Sequence, residues 1–152
     1  MLAERFAPVP IAAIYSSPSR RALQTIEGLA DRRRLRPIVL ADLRERELSA
    51  ATAAEFERAV AATWRDPDRP HTGGESNRTA AARGTAVVRQ MVEAHRGKHV
   101  MLSTHGSLLA IVLNGFDDAF GYEFWRTLTF PDVYALSFRD GLFAGARRVW
   151  DQ

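Results

Sequence analysis

The sequence has no cysteine in its 152 residues. That excludes disulfides and thiolate metal sites and suits a reducing compartment, so a cytoplasmic location is expected. Lysine is almost absent: of 21 basic residues only Lys98 is not arginine. Arginine keeps its charge and grips phosphate in a fork geometry, although arginine richness also follows genome composition. No apolar run approaches the roughly 20 residues that span a bilayer, so no membrane partner is expected. The opening MLAERFAPVP carries an acid and lacks a long apolar core, so it does not read as a signal peptide. Aromatics are missing from the densest basic run, Asp31 to Arg36. Nucleic-acid binders interleave aromatics with a basic stripe, so this run reads as a solvated helix end and nucleic acid is not an expected partner. Internal repeats, low-complexity tracts and linkers are lacking too. What remains is 46% hydrophobic and 26% charged with a net charge of +3, which suits one domain, 1–152, with a sizeable core.

Apolar periodicity divides the chain. Leu2 and Phe6 share a helical face that Pro8 and Pro10 end. Ile11 to Tyr15 reads as a buried strand, and Ser16 to Pro18 turns the chain. Ser19 to Arg33 reads as a helix with Ala22, Ile26, Leu29 and Ala30 on one face. Ile38 to Leu40 is a second strand. Phe56, Val60 and Trp64 mark a helix that Asp66-Pro67 closes, and a Pro- and Gly-rich loop follows. Ser76 caps a further helix bearing Ala80, Gly84, Val87, Val88, Met91 and Val92, which ends near Gly97. His99 to Ser103 is a third strand. Gly106 to Leu113 is an apolar helix that Asn114-Gly115 is expected to close, with a short helix at Phe120 to Leu128. Val133 to Phe138 and Leu142 to Trp150 make a hairpin around Arg139-Asp140-Gly141. Strands alternating with helices predict an α/β fold with a mostly parallel sheet.

Ligands of such sheets sit at the carboxyl ends of the strands. Two strand ends here run through polar residues into a helix: YSSPSRR, and MLSTHGSLL. Arg20, Arg21 and His105 are therefore expected at one edge, with Glu45 and Glu47 of LRERELS nearby. A helix opening at Gly106 adds backbone N–H groups and the positive end of its dipole. Taken singly, each feature has a plain structural reading. Adjacent helical arginines are ordinary surface residues, a histidine after a strand is an ordinary loop residue, and GGES makes a turn and a cap. His95 and His99 are spaced i, i+4, but Gly97 should end the helix between them, so no metal is expected.

The order of these segments carries more. IAAIYSSPSRRALQT, LRERELS, GGES and VMLSTHGSLLAIVLNG resemble, in sequence, the motifs of the histidine phosphatase superfamily. This is the phosphoglycerate mutase-like family, in particular its broad phosphatase branch. VYALSFRDG is similar to that family's closing strand and turn, so the resemblance runs from about Ile11 to Trp150. It implies a three-layer α/β fold with helices on both faces of the sheet and a C-terminal hairpin. It also implies phosphoryl transfer on a small phosphomonoester, with that substrate or inorganic phosphate as the partner and no cofactor. Arg21 is similar to a phosphate-binding arginine, Glu45 to the general acid that protonates the leaving oxygen, and His105 to the histidine that steadies the transferring group. Thr104 and the Gly106 amide lie beside His105. Ser17 and Glu75 match supporting positions. The pocket's outer wall is expected from residues 52–73 and 116–125, neither of which names a substrate.

The sequence departs from the pattern at one place. The family's nucleophile is a histidine in an N-terminal Arg-His-Gly triplet on the first strand, and this sequence has no such triplet. Its four histidines are His71, His95, His99 and His105. Three accounts stay open: the natural protein starts earlier, the chain is an inactive phosphate-ester binder with a regulatory role, or the histidine comes from another chain. Arg21, Glu45 and His105 standing together favour the first. A basic nucleic-acid-binding module is a further class. In the resembled family the nucleophile's strand lies between those matching His99–Ser103 and Val133–Phe138. Without it both strands would present open edges: the two close up and pair directly, a strand of a second chain fills the slot, or the edges drive self-association, and a homo-oligomer is the favoured expectation.

Overall fold

The computed structural model describes residues 2–150. In chain order it contains α1 (Leu2–Arg5), β1 (Ile11–Ser16), α2 (Arg20–Arg33), β2 (Ile38–Val39) and a short 3₁₀ turn (Ala41–Leu43). Then come α3 (Ala53–Arg65), α4 (Asn77–Ala94), β3 (His99–Ser103), α5 (Gly106–Phe116), α6 (Tyr122–Thr127), β4 (Tyr134–Arg139) and β5 (Leu142–Arg148). The chain forms two compact units. The first takes the residues up to Glu45 and Val87–His105, and the second takes Arg46–Ala86 and the residues from Gly106 on.

The first unit is a three-stranded parallel sheet of order β2-β1-β3. Period-two alternation divides its side chains between two faces. Ile14 and Met101 pack with Ile26, Leu29 and Ala30 of α2. Their neighbours Tyr15 and Leu102 pack with Leu43, Val87 and Met91, so the end of α4 covers the opposite face. All four apolar positions read on α2 are buried. Arg33, in the last turn of α2, donates to the carbonyls of Phe6 at 3.3 Å and Ala7 at 2.6 Å, and to that of Val9, tying down the turn before β1. Ser16 is in register with Val39 on one side and Ser103 on the other, so three strands end at one edge. The other side of β3 has no strand partner among the described residues.

In the second unit α5 buries Leu108, Ala110, Ile111, Val112 and Leu113. Asn114-Gly115 does not close it, because the helix continues to Phe116. Gly115 serves packing instead: a Cβ there would stand 2.7 Å from Thr85 of α4. Gly84 does the same from the α4 side, where a Cβ would meet Val112 Cγ2 at 2.4 Å. The α3 stripe is also rotated from its expected register. Ala59, Val60 and Thr63 are buried, while Phe56 is 39% exposed beside Trp125. A capping box opens this helix, with Thr52 Oγ1 accepting from Glu55 N at 3.2 Å and Glu55 accepting from Thr52 N at 3.0 Å. Buried Arg46 sews its loop to two helices, donating at 2.6 Å to both Thr63 Oγ1 and Asn77 Oδ1. β4 and β5 form the antiparallel C-terminal hairpin. Asp140 and Gly141 make its turn at φ 51° and 77°, the paired positive values that an Asp-Gly hairpin favours. Phe116, Phe138 and Phe143 stack beneath it at 5.2 to 5.7 Å.

Candidate functional site

At the carboxyl edge of the parallel sheet, hydrogen bonds knit three chain segments together. Ser17 N donates to Ser103 O at 2.9 Å, continuing the β1–β3 ladder one residue past β1. Ser103 Oγ donates to Ala22 O at 2.8 Å, which fixes the first turn of α2. Thr104 Oγ1 donates to Leu43 O at 2.8 Å and holds the segment from which Glu45 follows two residues later. Ser16 and Ser17 are fully buried at this edge and His105 is 8% exposed.

The imidazole of His105 is held from both sides. Arg21 donates to its Nδ1 twice, from Nε at 3.2 Å and from Nη2 at 3.0 Å. A guanidinium only donates, so Nδ1 carries no proton in this arrangement. The proton of the neutral ring therefore sits on Nε2, which donates to Ser17 Oγ at 2.8 Å. Ser17 Oγ also accepts from Ser19 N at 3.3 Å, so the chain before α2 helps fix the ring.

The charge pattern here is unfavourable without a ligand. Arg20 and Arg21 open α2, whose first turn holds no acidic residue. Cations at a helix N-terminus oppose its dipole, by roughly 0.3–1 kcal/mol each. Arg21 spends two donors on a neutral ring, and both arginines are exposed. An anion at this edge would reverse the penalty and complete the donor set. The arrangement can hold a tetrahedral oxyanion on the guanidinium fork of Arg21, and half-exposed Glu45 follows in the chain two residues after Leu43.

The remaining sequence-predicted residues lie in the second unit. Gly106 opens α5, directly after His105 in the chain. Glu75 accepts a two-pronged ion pair from Arg83, Nε at 2.7 Å and Nη2 at 2.8 Å, with both side chains 9% exposed. No local spacing signals that pairing, because the partners stand eight residues apart across a helix start. Residues of the 52–73 stretch line an open cavity of about 520 Å³ with Ser49, Arg58, His71 and Thr72 on its walls. Among the described residues, no three acidic or histidine side chains gather in a metal-like cluster. No helix among them is long and apolar enough to cross a membrane.

The profile of the histidine phosphatase superfamily (branch 1) matches residues 1–147. The structure of Bacillus stearothermophilus YhfR is similar at a TM-score of 0.74 with 28% identity, covering 93% of this chain and 75% of that one. Mycobacterial glucosyl-3-phosphoglycerate phosphatase Rv2419c is similar at a TM-score of 0.67 with 27% identity, covering 84% of this chain and 66% of that one. That phosphatase has also been solved with VO3 and with inorganic phosphate. The chain therefore spans about two thirds to three quarters of these structures' lengths. Curated proteins give no match.

Proposed function

Because this chain belongs to the histidine phosphatase superfamily, we propose that it takes the phosphoryl group of a small phosphomonoester at Arg21 and His105. The carrying observation is the Arg21–His105–Ser17 chain of hydrogen bonds at the strand edge. In this reading the phosphoryl oxygens take over the donors that Arg21 now gives to Nδ1. His105 stays oriented by Ser17 through Nε2 and, once its freed Nδ1 takes up a proton, donates from Nδ1 to the transferring group. Thr104 fixes the segment that carries Glu45, and Glu45 gives its proton to the leaving oxygen. Glu75, clamped by Arg83, supports the wall of its own unit.

Turnover by the family's covalent route needs a nucleophilic histidine in an Arg-His-Gly triplet, and none of the four histidines here stands in one. The reading therefore separates binding from turnover. The 152-residue chain binds phosphate but hydrolyses phosphomonoesters very slowly. A purely regulatory phosphate-ester binder is the second reading, favoured by the same missing triplet.

The test pairs calorimetric titration of inorganic phosphate with an assay on a chromogenic phosphomonoester. Saturable phosphate binding that weakens in Arg21→Ala, with turnover near background, is the expected result. Absence of phosphate binding would remove the site. Fast turnover abolished by His105→Ala would show that these residues supply their own nucleophile.

A further inference from the structure

One face of α3 lines the cavity of about 520 Å³ in the second unit. Glu55, Arg58, Ala59 and Ala62 fall on that face at helical spacing. Residues 49–51, with His71 and Thr72 of the loop after the helix, supply the other walls, and all of them belong to the same unit. The loop is held in place. Gly74 N donates to His71 O at 2.8 Å and Glu75 N to Glu47 O at 2.9 Å. Gly74 lies so close that a Cβ would stand 2.5 Å from Glu47 O. A cavity of this volume takes a small organic molecule rather than a lone ion.

Other arginines of this unit have partners: Arg46 has Thr63 and Asn77, Arg78 has Asp68, and Arg83 has Glu75. Arg58 has no hydrogen bond or ion pair among the described residues. The acid one turn earlier, Glu55, stands at the spacing that normally pairs with it. That carboxylate is committed to the helix cap instead, its Oε2 accepting from Ala51 N and Thr52 N at 3.0 Å. A guanidinium fork is thus left unpaired on the wall of a cavity whose other α3 residues include two alanines.

We propose that this cavity binds a small monocarboxylate with an apolar body, its carboxylate on the Arg58 fork. The walls specify both parts. Arg58 brings one permanent positive charge and Glu55 a carboxylate, so a single negative charge is matched and a second one is repelled. The methyl groups of Ala50, Ala51, Ala59 and Ala62 reward apolar area and give a polyol no hydrogen bond. The inference concerns the second unit alone and does not rest on the phosphate site.

Benzoate, benzamide and acetate separate the two parts. Benzamide keeps the ring and loses the charge, while acetate keeps the charge and loses the ring. In calorimetric titration of the full chain, benzoate is expected to bind about tenfold tighter than either, the effect of one charge-assisted pair or of one buried ring. In Arg58→Ala the benzoate-to-benzamide ratio is expected to fall to about one, because the paired charge is gone. Arg58 is exposed on a helix, where alanine is the best former, so this variant keeps the fold, and circular dichroism checks it. Ala62→Leu, also at an exposed helical position, fills the cavity and is expected to weaken benzoate and benzamide alike by about tenfold. No binding of benzoate, equal affinity for benzoate and benzamide in the parent, a ratio unchanged in Arg58→Ala, or undiminished binding in Ala62→Leu would each overturn the proposal. None of these results touches the phosphate site, which is read separately with inorganic phosphate.

Discussion

His105 is buried and holds its hydrogen bonds on both ring nitrogens, so single substitutions around it separate binding from stability. Arg21→Ala removes an exposed fork, and with it both bonds to Nδ1 of the buried ring, and should cost about 1 kcal/mol of stability. It should weaken phosphate by roughly 10- to 100-fold, the loss of charge-assisted hydrogen bonds of about 1.5–3 kcal/mol, read by calorimetry. Ser17→Ala acts the other way. It removes the hydroxyl that Nε2 of a buried imidazole donates to and should destabilise the fold by about 1–3 kcal/mol in urea unfolding. Phosphate binding then weakens only as far as the ring loses its orientation. Glu75 and Arg83 are a harsher case because both side chains are nearly buried. Arg83→Ala takes away the two-pronged partner of a buried carboxylate and should cost about 3–5 kcal/mol. A thermal shift of only a degree or two would mean that water reaches Glu75.

Helices and strands were largely legible in the sequence, where local periodicity and burial agree. The α2 stripe Ala22, Ile26, Leu29 and Ala30 is buried as its spacing predicts, and the three parallel strands and the Asp-Gly hairpin lie where their patterns put them. The misreadings have tertiary causes. Asn114-Gly115 carries the chemistry of a helix stop, yet the glycine is there because Thr85 comes close. The α3 stripe turned because Phe56 found an aromatic partner in Trp125 instead of a core. Within the site, the order of motifs named Arg21, Glu45 and His105, and hydrogen bonds join the first to the last. The Thr104–Leu43 bond and the Asp132–Arg148 brace join residues too far apart for any spacing rule. Gly84 offers a test at this scale. Alanine normally gains up to about 1 kcal/mol over glycine inside a helix. Here its Cβ would meet Val112 Cγ2 at 2.4 Å, and Leu108 stands close behind. Valine is stiff at χ1 and both neighbours are buried, so overpacking of about 1–3 kcal/mol outweighs the propensity gain. Gly84→Ala should therefore lower the urea midpoint, and a raised midpoint would mean that α4 and α5 slide apart freely.

Among the described residues β3 pairs with β1 alone, and it is the longer of the sheet's two edge strands. His99–Ser103 includes Val100, Met101 and Leu102, an apolar edge of the kind that recruits another strand. Self-association is therefore expected, with light scattering on a size-exclusion column reading at least twice the monomer mass. A monomer whose β3 amides exchange rapidly would show that the edge is tolerated in water. The central claim is narrower, that phosphate is held by Arg21 and His105 together. It is read most directly from the imidazole nitrogens themselves, by long-range ¹H–¹⁵N spectra recorded while inorganic phosphate is added. One histidine, identified by its absence in His105→Gln, should start with a proton on Nε2 and none on Nδ1. Its nitrogen signals should move saturably with phosphate, and in Arg21→Ala should move only at much higher concentration. If the His105 nitrogens stay still while His71, His95 or His99 respond, the phosphate site lies elsewhere and the account of this edge is wrong.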